Sequence, residues 1–89
     1  MSTVAELSAL KAAYEAAAEA AETAEIASRA AFKRETRARA DAMRSGTYDP
    51  KAQMRYREAT KRAQAASAEA HAILEPHRAA YYAARWPER

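Results

Sequence analysis

Apolar residues recur at intervals of three and four along almost the whole chain, a spacing that predicts α-helices. In the first half the repeating residues are Ala9, Ala13, Ala16, Ala20, Ala24, Ala27 and Ala31. In the second half they are Ala52, Tyr56, Ala59, Ala63, Ala66, Ala70, Ile73, His77, Ala80 and Ala84. Small side chains on both faces let two helices approach closely. We therefore expect these two sets to form the seam between two packed helices.

Local signals mark where each helix begins and ends. Thr3 followed by Glu6 fits a capping box, in which each side chain accepts a hydrogen bond from the other residue's backbone amide. Gly46, the single glycine, suits the left-handed conformation that commonly ends a helix. Asp49 followed by Pro50 is a second start signal. The sequence thus predicts a first helix over residues 4–44, a turn over 45–49 and a second helix over 50–86.

Because the predicted connection is so short, we expect the second helix to fold back and pack antiparallel to the first. Pro76 lies within the second helix, where it removes a backbone donor and disfavours helical geometry at Glu75. It therefore either kinks this helix or begins a third short one, and we expect the kink, since the two helices then nearly match in length. The predicted fold is all-α, a single domain over residues 1–89 that forms an antiparallel two-helix hairpin with a kink at Pro76.

A second apolar stripe runs along each helix. The stripe of the first helix comprises Leu7, Leu10, Tyr14, Ala17, Ala21, Phe32 and Met43, and that of the second comprises Ala65, Ala68, Ala72, Ala79, Tyr82 and Trp86. A hairpin buries one stripe per helix internally, so the other pair needs a further surface to cover it. We expect dimerisation into a four-helix bundle. The predicted core or oligomer contacts are Leu7, Leu10, Tyr14, Phe32, Tyr82 and Trp86.

The composition indicates a thin core. Alanine occupies 28 of the 89 positions, and there is no cysteine. A chain this short with few large side chains buries little apolar surface by itself, so a homo-oligomer or a protein partner is expected. No uncharged run approaches the roughly 20 residues needed to cross a bilayer, so no membrane partner is expected. The lack of cysteine is compatible with the cytoplasm. We expect the protein to be cytoplasmic or to be a component of a larger particle.

Charge is segregated along the chain. Residues 1–28 carry a net charge of −4, residues 29–62 carry +7, and residues 63–89 carry none. Folding at Gly46 gathers the basic block at the turn end of the hairpin. The residues expected to contact phosphate or a partner there are Arg29, Lys33, Arg37, Arg44, Lys51, Arg55 and Arg62. Arginine predominates in the block, and its planar fork suits bidentate contacts to phosphate or carboxylate.

Three interpretations of the basic block stay open. It could bind nucleic-acid phosphates. It could meet an acidic protein surface, such as Glu15, Glu19 and Glu22 of a neighbouring copy. It could also be a solvated face with internal ion pairs, since Glu35 and Arg39, Arg37 and Asp41, and Glu58 and Arg62 are all spaced four apart.

Motifs for catalysis are absent. There is no cysteine nucleophile, no glycine-rich phosphate loop, and no serine or histidine in a nucleophile motif. His71 and Glu75 could supply two metal ligands, which is too few for a site. We expect no enzyme activity, no metal and no cofactor.

The leading hypothesis is a non-enzymatic helical-hairpin module that oligomerises and binds a partner as an adaptor or structural component. Small phage-encoded or secretion-associated proteins have this general build, which is an analogy of architecture alone. The alternative is a small nucleic-acid-binding regulator that uses the arginine-rich turn end.

Overall fold

The computed structural model describes residues 2–87 and consists of two helices, α1 (Val4–Ser45) and α2 (Pro50–Arg85). They pack against each other in antiparallel orientation as a rod of 65 × 21 × 13 Å. No strand occurs between residues 2 and 87. The predicted all-α hairpin is confirmed, with each helix ending within one residue of its expected position.

The capping signals act as the sequence predicts. Thr3 Oγ1 accepts a hydrogen bond from the amide of Glu6 at 3.0 Å, and a Glu6 carboxylate oxygen accepts one from the amide of Thr3 at 2.9 Å. Gly46 ends α1 in the left-handed conformation, with φ 69° and ψ 22°. Asp49 caps α2 by accepting from the amide of Lys51 at 3.2 Å, and Pro50 occupies the first helical position. The hairpin turn is therefore set by local chemistry.

Pro76 lies inside α2 without interrupting it. The alternative of a third short helix beginning at this proline is wrong, because α2 runs unbroken from Pro50 to Arg85. The kink itself stays a prediction.

The predicted alanine seam of α1 is only partly correct, because Ala31 is buried and Ala13 and Ala24 are half-buried, whereas the other four alanines are not. Ala9, Ala16, Ala20 and Ala27 are exposed in the hairpin. The buried alanines of α1 are Ala17, Ala21 and Ala31, and the first two belong to the stripe that was expected to need another surface. The helix is therefore rotated about its axis relative to the expected orientation.

The seam of α2 also differs from the predicted one. Tyr56 and Ile73 are 42% and 52% exposed, whereas Gln53 and Thr60 are buried. These polar side chains can lie inward because α1 supplies their hydrogen-bond acceptors. Gln53 Nε2 donates to the carbonyl of Glu35 at 3.3 Å, and Thr60 Oγ1 donates to the carbonyl of Ala31, also at 3.3 Å. Apolar periodicity could not reveal inward polar residues whose partners lie on the other helix.

The apolar core lies toward the open end of the hairpin. Ala17, Ala21 and Leu74 form the buried cluster, with Tyr14, Ala18 and Ala70 packed against it. Tyr81 is also buried, at 5% exposure. Tyr14, Tyr81 and Tyr82 gather at this end, with ring centroids between 5.6 and 5.9 Å apart.

The predicted core or oligomer contacts divide into two groups. Leu7, Leu10 and Tyr14 are half-buried between the helices. Phe32, Tyr82 and Trp86 remain 55%, 44% and 47% exposed. A role for these last three in the core of a single hairpin is therefore wrong, whereas their role as oligomer contacts stays a prediction.

Candidate functional site

Inward positions repeat every seven residues along both helices. On α1 they are Leu7, Tyr14, Ala21, Ser28 and Glu35, and on α2 they are Gln53, Thr60, Ser67, Leu74 and Tyr81, all buried or half-buried. A step of one residue turns a helix by 100°. On each helix, the residue before an inward position therefore lies on one side and the residue after it lies on the opposite side. Because the helices are antiparallel, the preceding residues of both helices share one side of the hairpin, and the following residues of both helices share the other.

The side formed by the preceding residues carries mostly small apolar side chains, and we call it the alanine face. It comprises Glu6, Ala13, Ala20, Ala27 and Arg34 on α1, and Ala52, Ala59, Ala66, Ile73 and Ala80 on α2. Contacts across the hairpin support this arrangement, since Arg34, Ala52 and Ala59 line one groove together with Arg55 and Tyr56. The exposed alanines of the predicted seam lie on this face or beside it, so they are an outer surface of the hairpin.

The opposite side, formed by the following residues, is called the charged face. It comprises Ser8, Glu15, Glu22, Arg29 and Thr36 on α1, and Met54, Lys61, Ala68, Glu75 and Tyr82 on α2. Three ion pairs lie along it, Lys11 with Glu15 at 3.9 Å, Arg29 with Glu25 at 2.7 Å, and Arg78 with Glu75 at 2.6 Å. The two broad sides of the rod therefore differ in chemistry.

The predicted basic residues are all exposed at the turn-end half of the rod. Two of them pair with carboxylates, Arg29 with Glu25 and Arg44 with Asp41. The expected alternative pairing of Asp41 with Arg37 does not occur. Within residues 2–87, no carboxylate lies within 4 Å of the other five, which are Lys33, Arg37, Lys51, Arg55 and Arg62.

The structure does not bring these basic residues into one patch. Lys33, Arg37 and Arg44 line a shallow groove on the outer side of α1. Arg55 lies in the groove with Arg34 at the end of the alanine face. The basic block therefore surrounds the turn end as a positive cap, and Arg34, which was not among the predicted contacts, belongs to it.

A buried carboxylate also lies near the turn end. Glu35 is 4% exposed, and its Oε2 lies 3.5 Å from Arg39 of its own helix and 3.8 Å from Arg57 of α2. The predicted pairing with Arg39 is confirmed, whereas the inward position of Glu35 and its contact with Arg57 were missed. Extending the seven-residue repeat of Leu7, Tyr14 and Ala21 to residue 35 would have predicted that Glu35 lies inward, within reach of residues of α2.

Aromatic rings join the helices at the open end. The ring of Tyr82 meets those of Tyr14 and Trp86 edge-on, at 5.8 and 5.4 Å between centroids. The guanidinium of Arg85 lies 4.9 Å from the centre of the Trp86 ring, a cation–π distance. The pKa of Tyr82 is raised, chiefly because its hydroxyl shares a hydrogen bond with Tyr14 at 3.4 Å. The cluster holds the two helices together at the open end, while Tyr82 and Trp86 stay partly exposed to solvent.

The described side chains do not gather into a cluster of metal ligands. No three carboxylates, histidines or cysteines gather between residues 2 and 87 as a metal site would require. Neither α1 nor α2 contains an apolar stretch long enough to span a bilayer. The surfaces that offer interaction chemistry are the alanine face, the basic turn end and the exposed large apolar side chains, such as Phe32, Tyr82 and Trp86.

Comparison of the chain with protein-family models, with curated proteins and with solved structures found no significant match.

Proposed function

We propose that this hairpin is a non-enzymatic assembly module that associates with copies of itself and serves as an adaptor or structural part of a larger complex. The observation that carries the proposal is the small core of the single hairpin. Among residues 2–87, the buried apolar side chains are Ala17, Ala21, Ala31, Leu74 and Tyr81. Two large buried side chains give little hydrophobic stabilisation to a rod 65 Å long.

The exposed apolar residues support the same proposal. Val4, Ile26, Phe32, Met43, Tyr48, Met54, Tyr56, Ile73, Tyr82 and Trp86 are each between 42% and 88% exposed. Single exposed apolar residues are ordinary, but this chain exposes more large apolar side chains than it buries. Contact with another surface would remove part of that area from water.

Sedimentation equilibrium combined with thermal melting followed by circular dichroism tests this function. We expect self-association at micromolar concentration and a melting temperature that rises with protein concentration, because association stabilises the folded state by mass action. A monomer whose cooperative melt is independent of concentration from about 1 to about 100 µM would contradict the proposal, because mass action requires such a dependence of any folded oligomer.

The basic cap favours a second candidate function, the binding of nucleic-acid phosphates. Its specific support is the groove on α1 that contains Lys33 and Arg37, neither of which has a carboxylate within 4 Å among the described residues. Each phosphate contact releases a counterion, so affinity for labelled duplex or single-stranded nucleic acid should fall steeply with salt.

Replacing Lys33 and Arg37 with glutamine should reduce the slope of log affinity against log salt by about one unit per lost contact. Lys11→Gln provides the matched control, because Lys11 lies in the acidic half of the chain. Absence of binding by the wild-type protein at about 50 mM salt, where phosphate contacts are strong, would exclude this function.

A further inference from the structure

Phe32 is an exposed aromatic side chain that lies between two grooves in the turn-end half of the rod. Its exposed fraction is 55%. The groove on the outer side of α1 contains Phe32 together with Lys33 and Arg37. The second groove, between the helices, contains Phe32 together with Arg57 and Lys61 of α2. Cationic side chains therefore flank the ring on both sides.

The second groove continues toward the turn. Arg57 also lines an adjoining groove with Arg39, Tyr48 and Met54. Tyr48 is 46% exposed and Met54 is 62% exposed. We call this continuous surface the aromatic–basic surface, and it comprises Phe32, Arg39, Tyr48, Met54, Arg57 and Lys61. It has an exposed ring toward each end and cationic side chains between the two rings.

The aromatic–basic surface carries an excess of positive charge. Among the described residues that line its two grooves, Glu35 is the single acidic one, and it is 4% exposed. Its carboxylate faces the guanidinium groups of Arg39 and Arg57, at 3.5 and 3.8 Å. One of these two positive charges is therefore uncompensated. Lys61 adds another, since no carboxylate within residues 2–87 lies within 4 Å of it. The surface thus attracts a polyanion.

We propose that the aromatic–basic surface binds single-stranded nucleic acid, with unpaired bases stacked on Phe32 and Tyr48 and phosphates held by Arg57 and Lys61. This inference rests on the second candidate function and specifies the form of the nucleic acid. Every base has a flat face on which an aromatic ring can stack, and proteins that bind single strands combine such rings with a positive groove along the backbone. In a duplex the bases are already stacked on one another, so the two rings would gain no contact.

The aromatic–basic surface has the length for a short strand. From Phe32 to Ser45, at the end of α1, the helix rises about 20 Å. A stacked strand spans this distance with about six nucleotides at about 3.4 Å each, which is within the usual range of site sizes. Beyond Phe32, toward the open end, the charged face carries Glu15 and Glu22, which repel phosphates. The bound strand should therefore stay in the turn-end half.

Comparison of a single strand with its duplex tests the inference on the wild-type chain. The probes are a labelled strand of about 16 nucleotides that cannot pair with itself, and the same strand annealed to its complement. Fluorescence anisotropy measures the affinity for each. The duplex carries about twice the charge per length, so phosphate contacts alone predict that it binds at least as tightly. Stacking predicts the reverse, and we expect the single strand to bind about fivefold more tightly or better.

Phe32→Leu separates stacking from charge. Leucine keeps an apolar side chain without a flat ring, so the affinity for the single strand should fall about fivefold or more, as for loss of one stacked base. The slope of log affinity against log salt should stay the same, because the ring releases no counterion. Lys61→Gln should instead lower that slope by about 0.7, the value for one phosphate contact on a single strand.

Two further variants serve as controls, and circular dichroism checks the helicity of each. Phe32→Tyr keeps a flat ring and should retain the affinity for the single strand. Ile26→Ala removes another side chain of α1 that is also 55% exposed but lines neither groove. It should leave the affinity unchanged.

The outcomes separate this inference from the nucleic-acid function. A preference for the single strand that is lost in Phe32→Leu and kept in Phe32→Tyr supports the inference. If the duplex binds as tightly as the single strand, or if Phe32→Leu leaves the preference unchanged, the stacking surface is wrong while phosphate binding stands. If neither probe binds at about 50 mM salt, where phosphate contacts are strong, the inference and the nucleic-acid function are both wrong.

Discussion

The ring of Tyr14 on α1 stacks on the ring of Tyr81 on α2, with centroids 5.6 Å apart and an interplanar angle of 21°. Tyr81 is 5% exposed, and its hydroxyl oxygen accepts a hydrogen bond from Arg85 Nη1 at 2.6 Å. This contact joins the free ends of the two helices, which the turn at the opposite end cannot hold together.

Loss of this stack should be more costly than loss of the adjacent ring. Tyr81→Ala should lower the free energy of unfolding by about 3 kcal/mol or more, because truncation of a buried aromatic side chain leaves a cavity. Tyr82→Ala should cost about 1 to 2 kcal/mol, since Tyr82 is 44% exposed. Urea denaturation followed by circular dichroism at equal protein concentrations measures both values. Equal losses of unfolding free energy would show that the buried Tyr81 contributes no more to stability than the partly exposed Tyr82.

Replacing the buried Glu35 and replacing its arginine partners should have unequal effects on stability. Its partners Arg39 and Arg57 have side chains that are 51% and 61% exposed, so they regain hydration easily when the carboxylate is removed. Glu35→Leu should therefore change the stability by less than about 1 kcal/mol or increase it. Replacing both arginines with methionine should cost about 2 kcal/mol or more, because the buried carboxylate then loses its compensating charges. Denaturant midpoints of the two variants decide the order, and a greater loss for Glu35→Leu would contradict this account.

The helix ends could be predicted because their causes are local. Thr3 with Glu6, Gly46, and Asp49 with Pro50 each act through backbone groups within a few residues, so the sequence contains the complete signal. The antiparallel hairpin then follows from the length of the connection.

The orientation of each helix about its own axis could not be predicted in the same way. Alanine occurs on nearly every face of α1, so apolar periodicity fits several rotations almost equally well. Larger residues decide between them in the structure, because Tyr14 stacks on Tyr81 and Leu74 packs on Ala21. The distribution of the basic side chains between two grooves depends on the same rotation, which is why the sequence could not predict it.

The capping box should give the protein a dependence on acid pH. The amide of Thr3 donates to the Glu6 carboxylate and, together with the Thr3 side chain, lowers the pKa of Glu6. A carboxyl group whose pKa is depressed by folding stabilises the folded state above its unfolded pKa, near 4.3 for glutamate, and this contribution is lost as the pH falls through the folded value. Glu6→Gln removes the titration and keeps an acceptor for the Thr3 amide. Melting temperatures at pH 7 and pH 3 should therefore differ less for Glu6→Gln than for the wild-type protein, and an equal difference would mean that the capping bond is not maintained in solution.

Gly46→Ala tests the turn, and the sign of its effect is diagnostic. Gly46 has φ 69°, while an added Cβ would meet no atom within 4 Å, so the cost comes from the backbone conformation alone. Alanine in the left-handed region should destabilise the hairpin by about 1 kcal/mol or slightly more. Gly46→Asn should cost less, because asparagine tolerates this conformation better. If α1 instead continued through residue 46 in solution, alanine would stabilise the chain by about 1 kcal/mol through its helix propensity. Urea denaturation of the three proteins therefore separates a hairpin, with stability in the order glycine, asparagine, alanine, from one long helix, in which alanine is the most stable.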